Sequence, residues 1–273
     1  MEPEIVVFKV RRYRGEGQPY MADYEVPLTK GLTVLDGLIY IKENLDNSLS
    51  YRMSCRMGVC GSCGMFINGL PLLACHTPIE ELNSRTIQVA PLPNFPTIKD
   101  LVPDLGPLFE KHKIIHPYII RDDREEQERP TREYRQGIEE LEAYLQFSYC
   151  IKCGLCLSAC PTVATDGAFL GPQSLGQAFR YIADSRDDGL GLRIETLDTQ
   201  EGPWRCHFAG ACSAACPKGV DPALGIQLLK RTIIGKRLGL LKLIPRATIV
   251  LPLEGVTPDP AIPKAPPPTV ERR

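Results

Sequence analysis

The sequence predicts an α+β unit at the N-terminus followed by a mainly α-helical unit. Three observations predict it. Short β-branched and aromatic runs separated by turn signals fill the chain to about residue 92. Helical apolar periodicity takes over after a proline-rich stretch at 91–107. All eleven cysteines fall into three tight groups, one in the first unit and two in the second.

The elements follow in order. IVVFKV (5–10) reads as a strand, GEGQP as a turn, and residues 20–28 as a second strand. Thr33 is placed to cap a helix in which Leu35, Leu38, Ile39 and Lys42 recur in step. GMFINGLPLLA reads as a hairpin turning at Asn68-Gly69, and TIQVAPL as a further strand. After the proline-rich connection, REYRQGIEELEAYLQF and SLGQAFRYIADSRD carry helical periodicity, with Leu175, Ala178, Phe179 and Ile182 on one face of the second. The boundaries expected are 1–105 for the first unit, 106–240 for the second and 241–273 for a tail, with six prolines in residues 258–268.

The 273 residues suffice for two domains, and 43% hydrophobic with 24% charged residues is the balance of a core-forming protein. A net charge of −1 gives no global basic field, so nucleic acid is not an expected partner. MEPEIVVFKVRRY alternates charge and apolar residues and lacks a signal-peptide layout. No run reaches 18 uninterrupted apolar residues, so no membrane-spanning helix is expected. Without a secretion signal, eleven cysteines point to metal rather than disulfides.

The first group, SCRMGVCGSCGMFINGLPLLACH, sets Cys55, Cys60, Cys63 and Cys75 in C-x4-C-x2-C…C order. This is the plant-type [2Fe–2S] spacing. Four thiolates must converge on two irons, and Gly58, Gly61 and Gly64 supply backbone freedom for a loop that closes around them. A zinc knuckle would pair two C-x2-C units, and a Rieske centre would need a second histidine beside His76.

The second group, CIKCGLCLSACP, places Cys150, Cys153, Cys156 and Cys160 on the bacterial C-x2-C-x2-C-x3-C-P spacing. The third, CHFAGACSAACP, has Cys206, Cys212 and Cys216 on the same spacing, with Ala209 where a cysteine is due. In two-cluster proteins the fourth cysteine of each run serves the other cluster. That crossover gives Cys150, Cys153, Cys156 and Cys216 to a [4Fe–4S] cluster. It leaves Cys160, Cys206 and Cys212 for a [3Fe–4S] cluster, whose three thiolates match the alanine corner. Exchanging Cys160 and Cys216 gives the same cluster types uncrossed, and a [4Fe–4S] cluster with water or another side chain at its open iron is a second alternative.

These motifs and their order resemble the iron–sulfur subunit of succinate dehydrogenase and fumarate reductase, the respiratory complex II family. SCRMGVCGSCGMFING, CIKCGLCLSACP and CHFAGACSAACPKGVDP carry the resemblance, over roughly residues 4–240. It implies a β-grasp plant-type ferredoxin domain facing an FAD-binding flavoprotein subunit. It also implies a bacterial-ferredoxin-like helical domain facing membrane anchor subunits that can carry haem b. Electrons would pass between the flavin and quinone, in a complex on the cytoplasmic face of a prokaryotic membrane. The chain has no G-x-G-x-x-G after a strand and no catalytic triad or carboxylate pair, so the dicarboxylate chemistry is expected on the partner. Carried over by position, Pro161, His207 and Lys218 are expected near a quinone. PTVATDG departs from the family by placing Thr165 near a position where many succinate dehydrogenases have tryptophan. Cys63, ADSRDDG and Trp204 look closer to fumarate-reductase-like, menaquinone-linked members. Residues 222–253 hold no acid and six bases, Lys230, Arg231, Lys236, Arg237, Lys242 and Arg246, a pattern that suits a membrane surface or an anchor. The rival from a different class is a zinc-stabilised scaffold without redox function.

Overall fold

The computed structural model describes residues 4–129 and 134–240. Strand β1 (Ile5–Arg12) buries Val6, Phe8, Val10 and Arg12 and turns Lys9 and Arg11 outward, the period-two pattern of a half-buried strand. It pairs antiparallel with β2 (Tyr20–Pro27). Thr33 caps helix α1 (Val34–Tyr40): its hydroxyl accepts from Asp36 N at 3.2 Å while Asp36 accepts from Thr33 N at 3.1 Å. The helix then widens into a π turn at Ile41–Leu45. Ile41, three residues on from Leu38 and seven from Val34, is the buried member of the stripe, and Lys42 stays outside with its Nζ donating to Leu49 O at 2.6 Å. The sequence placed Lys42 in step with Leu35 and Leu38 because it assumed an unbroken α period.

Strands β3 (Gly64–Ile67) and β4 (Leu70–Leu73) form the predicted hairpin, with Asn68 and Gly69 both at positive φ. Strand β5 (Thr86–Ala90) runs parallel to β1 and antiparallel to β3, giving the sheet order β2-β1-β5-β3-β4. Helix α1 lies against this sheet. A Cβ on Gly37 would stand 2.2 Å from Phe8 Cζ, so glycine is what lets helix and ring meet.

The proline-rich stretch is not slack. Leu92, Phe95 and Leu101 are buried, and β6 (Thr97–Lys99) pairs with β7 (Val102–Pro103). Buried Arg12 binds Asp100 at 3.0 Å and also pairs with Asp46, which straps the segment to the sheet. Asn94 Nδ2 donates to Leu157 O at 2.9 Å and Ser158 O at 3.2 Å, in the helical half. The first core accordingly runs on past residue 105 to include Leu108, Leu155, Leu157 and Ala223.

The helices are α2 (Gly106–Ile114), α3 (Arg124–Glu128), α4 (Ile138–Ser148), α5 (Leu155–Ser158), α6 (Pro161–Thr165), α7 (Gly171–Ile182), α8 (Leu190–Leu197), α9 (Ala211–Ala214) and α10 (Pro222–Arg237). Helix α4 starts later than its sequence pattern, at Ile138, where Glu140 accepts from Gly137 N at 2.7 Å. Helices α4, α7 and α10 form the second core, built on Phe147, Leu175, Ala178, Phe179, Ile226, Leu229 and Ile233. Phe147 and Phe179 meet edge to face, with ring centroids 5.1 Å apart. The proline-rich tail, Lys242 and Arg246 lie outside the described residues.

Candidate iron–sulfur sites

All eleven cysteines are free thiols. Cys55, Cys60 and Cys63 lie on the loop that leads into β3, and Cys75 lies in the turn that follows β4. Cys63 immediately precedes β3 and Cys75 follows β4, so the hairpin itself brings the fourth sulfur back, and Ala74 N donates to Cys63 O at 3.0 Å. Backbone N–H groups converge on these sulfurs. Met57, Val59 and Cys60 donate to Cys55 Sγ at 3.3–3.4 Å. Cys55 and Ser62 donate to Cys60 Sγ at 3.5 Å, Cys75 to Cys63 Sγ at 3.4 Å and Gly58 to Cys75 Sγ at 3.3 Å. The thiols are unequal. Hydrogen bonds from the Ser62 hydroxyl and from the N–H groups of Cys55 and Ser62 pull Cys60 down to about 6, whereas burial first, and neighbouring sulfur second, pushes Cys63 up to about 12. Met57 and Val59 at the loop's rim are exposed.

This loop touches the next one. Gly61, at φ +76, leaves no room for a side chain: a Cβ there would stand 2.7 Å from Cys153 Cβ and 3.0 Å from Cys153 Cα.

The remaining seven cysteines sort into two hollows. Cys150, Cys153, Cys156 and Cys216 line one of about 430 Å³. Cys160, Cys206 and Cys212 line another of about 330 Å³, with Ala209 on its wall. Burial dominates both. It raises the Cys150 thiol, pushes Cys153 and Cys212 up to about 11, and drives the Cys156 thiol well above its ordinary range. The two loops that carry the cysteines repeat one backbone. Lys152 and Phe208 are left-handed at φ +54 and +58, and Gly154 and Gly210 follow at φ +83 and +74. In each, the glycine carbonyl caps a short helix, accepting at 3.1 Å from Ser158 N and from Ala214 N. Ala209 therefore holds, in one loop, the place that Cys153 holds in the other.

Among the described residues, no three His, Cys, Asp or Glu side chains gather closely enough to hold a single metal ion. Sulfurs arranged around hollows and met by N–H donors fit the larger iron–sulfur clusters, whose edge sulfurs accept such bonds.

Pro161 and His207 line the three-cysteine hollow, and both are exposed, as is Phe208. Lys218 is not with them; it stands on the wall of the four-cysteine hollow. Thr165 is exposed near the end of α6, its hydroxyl donating to Pro161 O at 3.2 Å. Trp204 is exposed, with Nε1 donating to Asp198 at 2.7 Å, and Arg237 binds the same carboxylate. Within ADSRDDG, Asp187 pairs with fully buried Arg193, a structural contact. Lys230 turns inward from the basic segment and donates to Cys206 O at 3.0 Å. Sequence reasoning missed Asn94, Gln173 and His112, which support the loops from distant elements and carry no motif.

The geometry agrees with three comparisons. A model of a 2Fe-2S iron–sulfur cluster binding domain matches residues 7–110, and a model of a 4Fe-4S dicluster domain matches residues 146–220. The fumarate reductase iron–sulfur subunit of Mycobacterium tuberculosis is 49% identical over 231 residues, covering 83% of this chain and 92% of the relative. That of Haemophilus influenzae is 43% identical over 233 residues, covering 82% and 91%. A chain of the solved Mycobacterium smegmatis Sdh1 complex in the apo form superposes with a TM-score of 0.77 at 25% identity, covering 86% of this chain and 98% of that one. With both domains matched and relatives aligned along nearly their whole length, the chain belongs to the iron–sulfur subunits of the succinate dehydrogenase and fumarate reductase family.

Proposed function

We propose that this chain is the electron-transfer subunit of a succinate:quinone oxidoreductase, working between the FAD of a partner flavoprotein and a membrane quinone. The observation that carries the reading is the adjacency of three sulfur-lined sites, the first packed on the second through Gly61 and Cys153. When bound, iron–sulfur clusters supply one-electron carriers. The chain's residues hold, wrap and space them. Cys55, Cys60, Cys63 and Cys75 take [2Fe–2S]. Cys150, Cys153, Cys156 and Cys216 take [4Fe–4S], and Cys160, Cys206 and Cys212 take [3Fe–4S]. The sharing of hollows supports this crossed assignment over the uncrossed one. The repeated backbone around Ala209 supports a three-thiolate site in a loop of the same shape as the one that carries Cys153.

Pro161 and His207, exposed beside the three-cysteine hollow, are the residues we place at the quinone, with menaquinone as its type. The position of Lys218 on the other hollow favours a role there instead. None of the helices among the described residues is long and apolar enough to cross a membrane. Separate anchor subunits, with or without haem b, would hold the complex on the cytoplasmic face. The same reading divides the chain at 1–105, 106–240 and 241–273.

The names of the curated relatives favour a second reading, the same arrangement run toward fumarate. Rates of succinate oxidation by a quinone and of fumarate reduction by a quinol, measured on the intact complex, separate the two. Electron paramagnetic resonance with iron and sulfide quantified tests the whole. The reading expects a near-stoichiometric [3Fe–4S] signal in the oxidised complex and a [2Fe–2S] signal on reduction. Zinc in place of iron would establish the scaffold reading, and iron-replete protein silent when oxidised would favour an open-iron [4Fe–4S] site.

A further inference from the structure

Gln173, in the first turn of α7, is 3% exposed and lines the four-cysteine hollow. Its Nε2 lies 3.9 Å from Cys150 Sγ and 3.3 Å from His112 Nδ1. An amide nitrogen carries two N–H groups, and here each has an acceptor. His112, on α2, is itself buried. Burial first, and the charge of Lys152 second, holds its imidazole down to about 4, so at neutral pH it is uncharged. With the proton on Nε2, its Nδ1 accepts from the glutamine. Gln177, one turn along α7 and on the same wall, directs its Nε2 to Phe147 O at 2.6 Å, away from the sulfurs. An apolar side chain at 173 would seal the hollow as well as glutamine does. A buried amide left unpartnered is costly, so the partners it keeps show what it is for.

We propose that Gln173 tunes the reduction potential of the four-cysteine site by donating an N–H to the Cys150 sulfur, and that His112 is the positioning residue holding the amide in that orientation. The proposal rests on the assignment of a [4Fe–4S] cluster to Cys150, Cys153, Cys156 and Cys216. An added electron makes the ligand sulfurs better acceptors, so a donor aimed at one favours the reduced state and raises the potential. Cys216 receives its donor from the backbone, Val220 N at 3.4 Å, which no side-chain change removes. Gln173 is therefore a point at which this site can be adjusted by one substitution.

The test is a redox titration of the intact complex followed by electron paramagnetic resonance. Gln173→Met keeps the volume and removes the donor. The four-iron midpoint should move negative, so that the reduced-to-oxidised ratio at fixed potential falls about tenfold, equivalent to about 59 mV for one electron. The [2Fe–2S] and [3Fe–4S] midpoints should stay in place. His112→Phe should give a smaller shift in the same direction. An unchanged four-iron midpoint in a cluster-replete Gln173→Met complex overturns the proposal, as does a common shift of all three midpoints. If Gln173→Met does not retain the cluster, Gln173→Asn decides: it withdraws the amide by one methylene, and a negative shift supports the proposal while none overturns it. Absence of any four-iron signal in the wild-type complex would instead overturn the underlying assignment.

Discussion

Cys55, Cys60, Cys63 and Cys75 come from one stretch of chain folded against a sheet, and backbone N–H groups already meet every one of their sulfurs. The seven cysteines behind them come from two stretches, 150–160 and 206–216, that must find each other before either hollow exists. In the first site the thiols are set apart, Cys60 pulled down to about 6 by hydrogen bonds and Cys63 pushed up to about 12 by burial. In the second, burial raises Cys150, Cys153 and Cys156 alike. The first site is thus a local property of a loop, and the paired sites are a property of helix packing around α7 and α10. Side chains from elsewhere, Gln173, Asn94 and Lys230, matter only in the paired sites.

The largest expected effect breaks the paired sites selectively. Cys216→Ser should remove the [4Fe–4S] cluster and leave the oxidised [3Fe–4S] signal, whereas Cys160→Ser should do the reverse. Paramagnetic resonance of the oxidised and reduced complexes, with iron counted per chain, reads both. If the two variants exchanged phenotypes, the loops would be uncrossed, and each would be as self-contained as the first site.

The same contrast explains what the sequence made legible. Ligand spacing is local, so the three cysteine groups, the Asn68-Gly69 hairpin and the Thr33 cap could be read directly. Pairing between distant loops is not local: the crossover was available only as one of two assignments. The stretch 91–107 reads as a linker because its prolines are visible and its partners are not. Arg12, eighty-eight positions from Asp100, is what straps it down. Lys230 reads as one base in a basic run, and only the position of Cys206 O shows why it turns inward. Lys218 is read as a neighbour of the quinone for a similar reason, since the CPKG segment borders both hollows in sequence and lines only the four-cysteine one.

The junction between the two plans is the next place to test. Gly61→Ala must tolerate φ +76 and a Cβ 2.7 Å from Cys153 Cβ. Strain and overlap together should cost about 2–4 kcal/mol. Gly58→Ala shares the left-handed backbone, φ +68, but meets only His76, at 3.4 Å, and should cost about 1 kcal/mol. Thermal unfolding of the two cluster-loaded variants separates contact from strain. Magnetic coupling between the first two clusters should weaken in Gly61→Ala alone. Equal losses would mean that the loops do not bear on each other, and that the first site is independent of its neighbour.

Acid should separate the halves more gently. The sheet half buries charge in pairs. Hydrogen bonds from Ser48 and Tyr24, with Arg12 beside them, hold the Asp46 carboxyl well below the ordinary carboxylate range. A lowered carboxylate contributes stability that is present above its ordinary value and lost only as pH falls through the folded one, so this contribution is intact at pH 5. The helical half buries His112 uncharged, lowered from an ordinary 6.5 to about 4. Between those values the unfolded chain binds the proton and the folded chain does not. Stability therefore falls as pH drops from 6.5 toward 4 and levels off below. By pH 5 the loss from this one group should be about 2 kcal/mol. His112→Gln carries no such proton, so the gap in Tm between wild type and variant should narrow from pH 7 to pH 5 at constant cluster content. A gap that stays constant would mean that folded His112 takes up its proton over the same range as in the unfolded chain, and the helical half would then be no more sensitive to mild acid than the sheet.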